Sequence, residues 1–325
     1  MKILFSPSEV EKFAKRIVFA AGFFDGVHVG HRKLLNEAKA IAESKNAELW
    51  ILTFDPHPLA IVKPDYCPKL ITPFAYRIEL LEQYGAAGCL VLPFTNELAL
   101  TSPEAFCDKC FAYWYSNDAQ CTVVAGPNWH FGHKQAASIY DIPKLTDGRV
   151  AAHVVDGELY DSILVSSSRI RQALTEGDLS KANAMLGYYY TIADTTIKER
   201  GVGSELGFPT ANIVFQNGVL PPNGVYATRV TLPEAIANTN SSKSFFAVAN
   251  LGFRPTFPDA RPDTPILELH LLDFDSKIPL HGTYLKVEFI EFIRREQKFD
   301  TPVELVKQIK QDIMSARAIA AAIEK

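Results

Sequence analysis

A change of periodicity near Gly187 divides this 325-residue sequence and restricts what either part can become. Before it, short apolar runs alternate with amphipathic ones. Arg16–Ala21, Glu48–Phe54, Cys89–Leu92 and Thr122–Ala125 read as buried strands, whereas Leu34–Ser44, Ala75–Tyr84 and a stretch from Pro103 carry apolar residues at helical spacing. Strands that alternate with helices are joined by crossovers, which gives βαβ units and a parallel sheet. After Gly187 the runs Tyr189–Ile197, Gly224–Leu232, Phe245–Leu251, Ile266–Phe274 and Thr283–Ile293 are rich in β-branched and aromatic residues and separated by Pro, Gly and Asn turns. No helix-length amphipathic segment follows until Pro302–Ile323. The expected fold is therefore α/β, with a Rossmann-like parallel-sheet domain over residues 1–186, then an antiparallel β-barrel or sandwich over 187–325 closed by a C-terminal helix. Ala237–Ser244 reads as a polar, mobile loop tip.

Composition narrows the function classes. A formal net charge of −4 without any Lys/Arg run gives no basic stripe, so no nucleic-acid partner is expected. A small phosphate-bearing ligand needs only a few local cations and remains open. The opening MKILFSPSEVEKF lacks the apolar core of a signal peptide, and no run of about 18 apolar residues follows, which predicts a cytoplasmic protein without a membrane partner. Five cysteines, at positions 67, 89, 107, 110 and 121, are odd in number and make no disulfide framework. Cys107 and Cys110 form a lone CxxC without the second pair a zinc site needs, and read as buried or half-exposed thiols. Oligomeric state stays open.

The segment Gly22–His31, GFFDGVHVGH, runs from the end of a strand into a helix. A helix start offers unpaired N–H groups and the positive end of the macrodipole, and both favour phosphate. Gly26 and Gly30 allow close approach of backbone and ligand. His28 and His31, three residues apart, can donate to phosphate oxygens and to the charge that builds on leaving pyrophosphate. The plain alternative is a glycine-rich turn with two solvated histidines, which the strand–turn–helix setting disfavours. Farther on, SSSRIR (166–171) precedes a helical stretch ending near Gly177. Its serines serve equally as N-caps, but Arg169 and Arg171 can clamp phosphate. In the second half, Gly201, Gly203 and Gly207 supply a loop that could cradle phosphates, and Pro209 stiffens it. Thr210 and Asn212 offer neutral oxygens that suit Mg2+ bound with a nucleotide, although an ordinary strand entry has the same composition.

FDGVHVGH (24–31) paired with SSSRIR resembles the HxGH nucleotidyltransferases. LTFDPHP (52–58), LPFTNELALTSPEAF (92–106) and GPNWHFGHK (126–134) look like the adenylyltransferase domain of the bacterial bifunctional riboflavin kinase/FMN adenylyltransferases, also called FAD synthetases. LGFPTANI, PPNGVYA (221–227), ANLGFRPTF (249–257), LELHLLDFD (267–275) and FIRREQKFD (292–300) resemble the riboflavin kinase domain of the same family, in order. The resemblance implies a nucleotidyltransferase domain ahead of a kinase barrel, using ATP and Mg2+ to turn riboflavin into FMN and FMN into FAD. It implies that Gly22, Phe24, Asp25, Gly26, His28, Gly30 and His31 hold ATP, that Ser167, Arg169 and Arg171 close over it, and that Pro56, His57, Pro58 and Asn128 receive FMN. No other strong base is implied there, since the phosphate of FMN is itself the nucleophile. In the kinase half it implies ATP and Mg2+ at Gly203, Gly207, Pro209, Thr210 and Asn212, with Glu268 as general base. Read without the family, Glu268 is equally a cross-strand salt-bridge partner. Asn250, Arg254 and Thr256 would lie near the substrate, and Arg294 and Glu296 near the flavin. Two departures motivate other expectations. Asn128-Trp-His-Phe-Gly132 stands where the family has Asp-Phe-Arg-Phe-Gly, which suits a different acceptor. Glu199 and Ser204 stand where it has Gly and Arg or Lys, which suits an active adenylyltransferase joined to a decayed kinase that only binds flavin.

Overall fold

The computed structural model describes residues 1–10, 12–13, 15–116, 120–197, 208–215, 218–233, 243–253, 265–275 and 278–324. Two compact units emerge, one of Met1–Leu70 with Phe74–Ser167 and the other of Ile71–Pro73 with Ser168–Lys325.

In the first unit, β1 (Lys2–Leu4), β2 (Arg16–Ala21), β3 (Glu48–Asp55), β4 (Gly88–Pro93), β5 (Gln120–Ala125) and β6 (Val150–Val154) form one six-stranded sheet in the order β1-β4-β3-β2-β5-β6. All its pairings are parallel. The four inner strands are nearly continuous buried runs, as expected where both faces are covered. Helices α1 (Val29–Ser44), α2 (Phe74–Glu82) and α3 (Pro103–Phe111) lie in the connections. The core is aromatic. Phe19 packs edge-on against Trp114 at 5.6 Å, and the Trp50 ring crosses Gly88, its register partner on β4. Cys107 and Cys110 are both buried among these rings, and burial pushes the Cys107 thiol up to about 12. They are packed thiols, as expected. The sequence pattern misses the two edge strands, β1 because it has three residues and β6 because its burial alternates.

Chain order sets where a ligand can sit. From β2 the chain adds β3 and β4 on one side, then returns to place β5 on the other. The loops leaving the carboxyl ends of β2 and β5 therefore part at a topological switch point, the usual binding crevice of an open α/β sheet.

From Ser168 on, the second unit holds α4 (Ser167–Glu176) and α5 (Leu179–Leu186). Gly187 ends α5 at φ 75°, a left-handed position that favours glycine. Strands β7 (Thr191–Ile197), β8 (Ala211–Val214), β9 (Gly224–Leu232), β10 (Lys243–Phe253), β11 (Pro265–Leu271) and β12 (Tyr284–Arg294) close into a barrel in the order β7-β8-β11-β10-β9-β12. Neighbouring strands are antiparallel throughout. Tyr226, Leu251, Leu267, Leu269, Leu285 and Phe289 are buried in it. Helix α6 (Pro302–Ile323), capped by the Thr301 hydroxyl, lays Ala316 against Val225, Ala227 and Val248 on the outer face of β9 and β10. Closure removes exposed strand edges. The short strand β8 is not separable in the sequence from the loop before it. Lys243 and Ser244 belong to β10 rather than to a loop tip, and 237–242 lie outside the described residues.

Candidate active sites

The first site grows out of the end of β2. Phe24 (φ 59°), Gly26 (φ 85°) and Val27 (φ 35°) all take left-handed backbone, a costly turn for two buried apolar residues and a kind of strain that clusters at functional sites. A Cβ on Gly22 would stand 3.0 Å from the Phe24 ring, so glycine lets that ring fold back under the turn. His28 then caps α1: its Nδ1 accepts from the His31 backbone N–H at 3.3 Å. The two imidazoles stack with centroids 3.6 Å apart and planes 17° apart, and Phe24 meets His31 edge-on at 5.3 Å. Gly30 fits beneath the His28 ring, where a Cβ would stand 3.3 Å away. Burial pushes the His31 pKa well below the usual imidazole value, and the charges of His28 and Arg77 push the same way. His31 is thus neutral around pH 7.

The neighbouring loops converge on this turn. The Ser167 hydroxyl donates to the carbonyl of buried Asp25 at 2.9 Å. After β3, His57 caps a short helix that opens with Pro58, its Nδ1 accepting from the Leu59 N–H at 3.1 Å. The His57 ring meets the Phe23 ring edge-on at 4.4 Å. Pro56, immediately before it, is joined to Asp55 by a cis peptide bond. After β5, Asn128 is exposed and its carbonyl bonds His130 Nδ1 at 2.9 Å. That loop is fastened to 99–103 by His133, whose N–H donates to the Thr101 carbonyl at 2.7 Å. Arg169 and Arg171 lie on α4 in the second unit, half-buried on either side of buried Ile170.

In the barrel the candidates fall into one row. Asn212 on β8 pairs with Glu268 on β11, Glu268 with Asn250 on β10, Asn250 with Val225 on β9, and Val225 with Arg294 on β12. Directly opposed residues share a face, and Val225 packs under α6, so the row is on the outside of the barrel. Asn212 is buried, while Glu268 and Asn250 are half-buried. Arg294 donates twice to Asp312 on α6, at 2.8 and 2.7 Å. Glu296 lies over Gly252, where a Cβ would strike its carboxylate. Pro209 and Thr210 line a cavity of about 460 Å³ together with Ile197, Leu269, Phe274 and Leu280. His270 Nδ1 bonds the Pro209 carbonyl at 3.0 Å and holds that loop against β11. Gly201, Gly203, Gly207, Arg254 and Thr256, and likewise Glu199 and Ser204, lie outside the described residues.

Sequence reasoning passes over Arg77, Asp312 and His270. Arg77 occupies the apolar face of α2 with Leu80 and Leu81, and Asp312 stands in the Ala316–Ala320 stripe of α6. A charge on an apolar stripe is the signal that could have found both.

A family model described as FAD synthetase matches residues 10–169, and one described as riboflavin kinase matches 186–320. A Bacillus subtilis (strain 168) protein named bifunctional riboflavin kinase/FMN adenylyltransferase is 36% identical, covering 92% of this chain and 91% of its own length. Its namesake in Listeria monocytogenes is 34% identical over 94% of this chain and 93% of its own length. Among solved structures, a macrolide-efflux protein from Streptococcus pneumoniae shares the fold at a TM-score of 0.79 and 24% identity, over 97% of this chain and 98% of that one. Both halves match in order, so nothing favours a decayed kinase. With its strained HxGH turn in one unit and its Asn212–Glu268–Asn250 row in the other, the chain belongs to the bifunctional riboflavin kinase/FMN adenylyltransferase family.

Proposed function

We propose that residues 187–325 transfer the γ-phosphate of ATP to riboflavin, and that residues 1–186 transfer the AMP of ATP to the resulting FMN, releasing pyrophosphate, in a cytoplasmic enzyme. The stacked His28–His31 pair at the start of α1 carries the adenylyl half of this proposal. In that step an FMN phosphate oxygen attacks the α-phosphorus of ATP and the bond to the β-phosphate oxygen breaks. The imidazoles and the N–H groups of the α1 start hold the triphosphate, with Gly22, Phe24, Asp25, Gly26 and Gly30 shaping the turn and Ser167 beside it. Pro56, His57, Pro58 and Asn128 receive the flavin.

In the kinase step, Glu268 takes the proton of the ribityl hydroxyl as that oxygen attacks the γ-phosphorus and ADP leaves. Asn250 and Glu296, with the Arg294–Asp312 pair behind them, orient the flavin. The hydroxyl of Thr210 and the amide oxygen of Asn212, a register neighbour of the Glu268 carboxylate, are hard donors that fit Mg2+, and they would hold it. Bound there, the ion neutralises charge on the ATP phosphates. Pro209 and Thr210 set the edge of the nucleotide cavity.

Incubation with riboflavin, ATP and Mg2+ tests both halves. Wild type is expected to yield FMN and FAD. His28→Ala keeps FMN formation and loses FAD; Glu268→Ala loses FMN formation and still adenylylates supplied FMN. Wild-type protein that makes neither product overturns the proposal.

A further inference from the structure

Arg77 has no part in the chemistry above, and its setting is unusual for an arginine. It lies on α2 with its side chain fully buried. Nη2 reaches the Phe54 carbonyl at 3.4 Å and Asp55 Oδ1 at 3.5 Å, both long, while Nε and Nη1 find no partner among the described residues. The guanidinium lies over the Phe23 ring at 4.2 Å and faces Phe74 at 5.4 Å. The titratable groups around it are Asp25 from the turn after β2, Asp55 from the end of β3, Cys89 from β4 and His31 from α1.

A cation with this much unmet hydrogen-bonding capacity is expensive to bury, and an apolar side chain of similar volume would fill the space at lower cost. Burial accordingly loosens its hold on its proton, with Asp25 and Asp55 opposing. What the position gains is a positive charge that water does not screen, held one ring behind the turn that presents His28 and His31. It also joins the loop after β2 to the end of β3: Phe23 belongs to the first, Phe54 and Asp55 to the second.

We propose that Arg77 is a positioning residue for adenylyl transfer: its buried guanidinium ties Phe23 to the end of β3 and supplies a fixed positive field to the His28–His31 turn. This rests on the assignment of that turn to adenylyl transfer. The field favours the charge that develops on departing pyrophosphate, so the chemical step gains more than FMN binding does.

Arg77→Met removes the charge and keeps an apolar stem; Arg77→Lys keeps the charge. A donor in direct contact with developing charge is worth about 10²–10³-fold. A charge one layer back is expected to be worth on the order of tenfold in kcat for FAD formation, with KM for FMN held within about twofold. Arg77→Met should show that loss, and Arg77→Lys should recover most of it. In the ligand-free protein the NMR titration of His31 should move to higher pH in Arg77→Met and stay in place in Arg77→Lys. FMN formation by the barrel, unaffected in both, reports intact protein. A wild-type kcat in Arg77→Met, equal losses in both variants, or an unmoved His31 titration overturns the proposal. If Arg77→Met unfolds the first unit, Arg77→Lys decides: kcat within about threefold of wild type upholds the field, and anything lower refutes it. Wild type that makes no FAD overturns the adenylyl assignment instead, and the His31 titration still reads the Arg77 charge.

Discussion

Replacing Asp312 by alanine is expected to damage the barrel while leaving the first unit intact. Asp312 has a side chain only 4% exposed, and it receives two hydrogen bonds from Arg294 and one from Gln308 at 2.9 Å. Arg294 is itself only 21% exposed, so alanine strands a guanidinium in a place water reaches poorly. Breaking a buried pair by removing one partner costs about 3–5 kcal/mol. Since part of Arg294 remains wetted, we expect about 3 kcal/mol. For a unit of this size that corresponds to a fall in Tm of roughly 6–12 °C. All three tryptophans, Trp50, Trp114 and Trp129, sit in the first unit, so their fluorescence follows that unit while far-UV circular dichroism follows both. The early transition in Asp312→Ala should appear by circular dichroism and not by tryptophan fluorescence. Removing both charges, as Arg294→Met with Asp312→Leu, should recover most of the lost stability because no orphan is left, yet KM for riboflavin should stay raised. A loss below about 1 kcal/mol, or a double variant no better than the single one, refutes the account.

Two further outcomes follow from the first unit. A Cβ at position 88 would stand 2.3 Å from Trp50 Cζ3, so Gly88→Ala should cost about 3 kcal/mol in tryptophan-monitored unfolding, with Trp50→Leu relieving it in the double variant. His31 has a pKa lowered below its unfolded value of 6.5, so its contribution is fully present above that value and is lost as pH falls through 6.5 toward the folded value. Denaturation curves of the ligand-free first unit between pH 7 and 5 should therefore show a decline that His31→Gln flattens.

How much of this was legible in sequence depends on the range of the information. The inner strands β2 to β5 and the helix α6 were readable because apolar runs and 3.6-residue spacing are local, and the boundaries of Pro302–Ile323 are set by Thr301, Pro302 and the apolar stripe beside them. The turn at Gly22–His31 was readable because its glycines and histidines are consecutive. The arrangement of Asn212, Glu268, Asn250 and Arg294 was not, because it depends on which strands neighbour each other and at what register. Ala211–Val214 was too short to be separated from its loop, and Arg77 passed for a solvated charge because burial of an ion is decided by tertiary packing.

The row across the barrel ties the proposed kinase chemistry to the shape of the whole ring. Along β11 the apolar residues Leu267 and Leu269 alternate with Glu268. Sliding that strand by a single position would turn the carboxylate inward and drive leucines into water. Each strand is held by a partner on both sides, so no lone strand can slip without tearing two seams at once. Loss of phosphorylating ability and loss of the barrel itself should therefore coincide in any variant that disturbs pairing, whereas, with Glu268 as the proposed base, substitutions there alone should silence the step in a fully folded molecule.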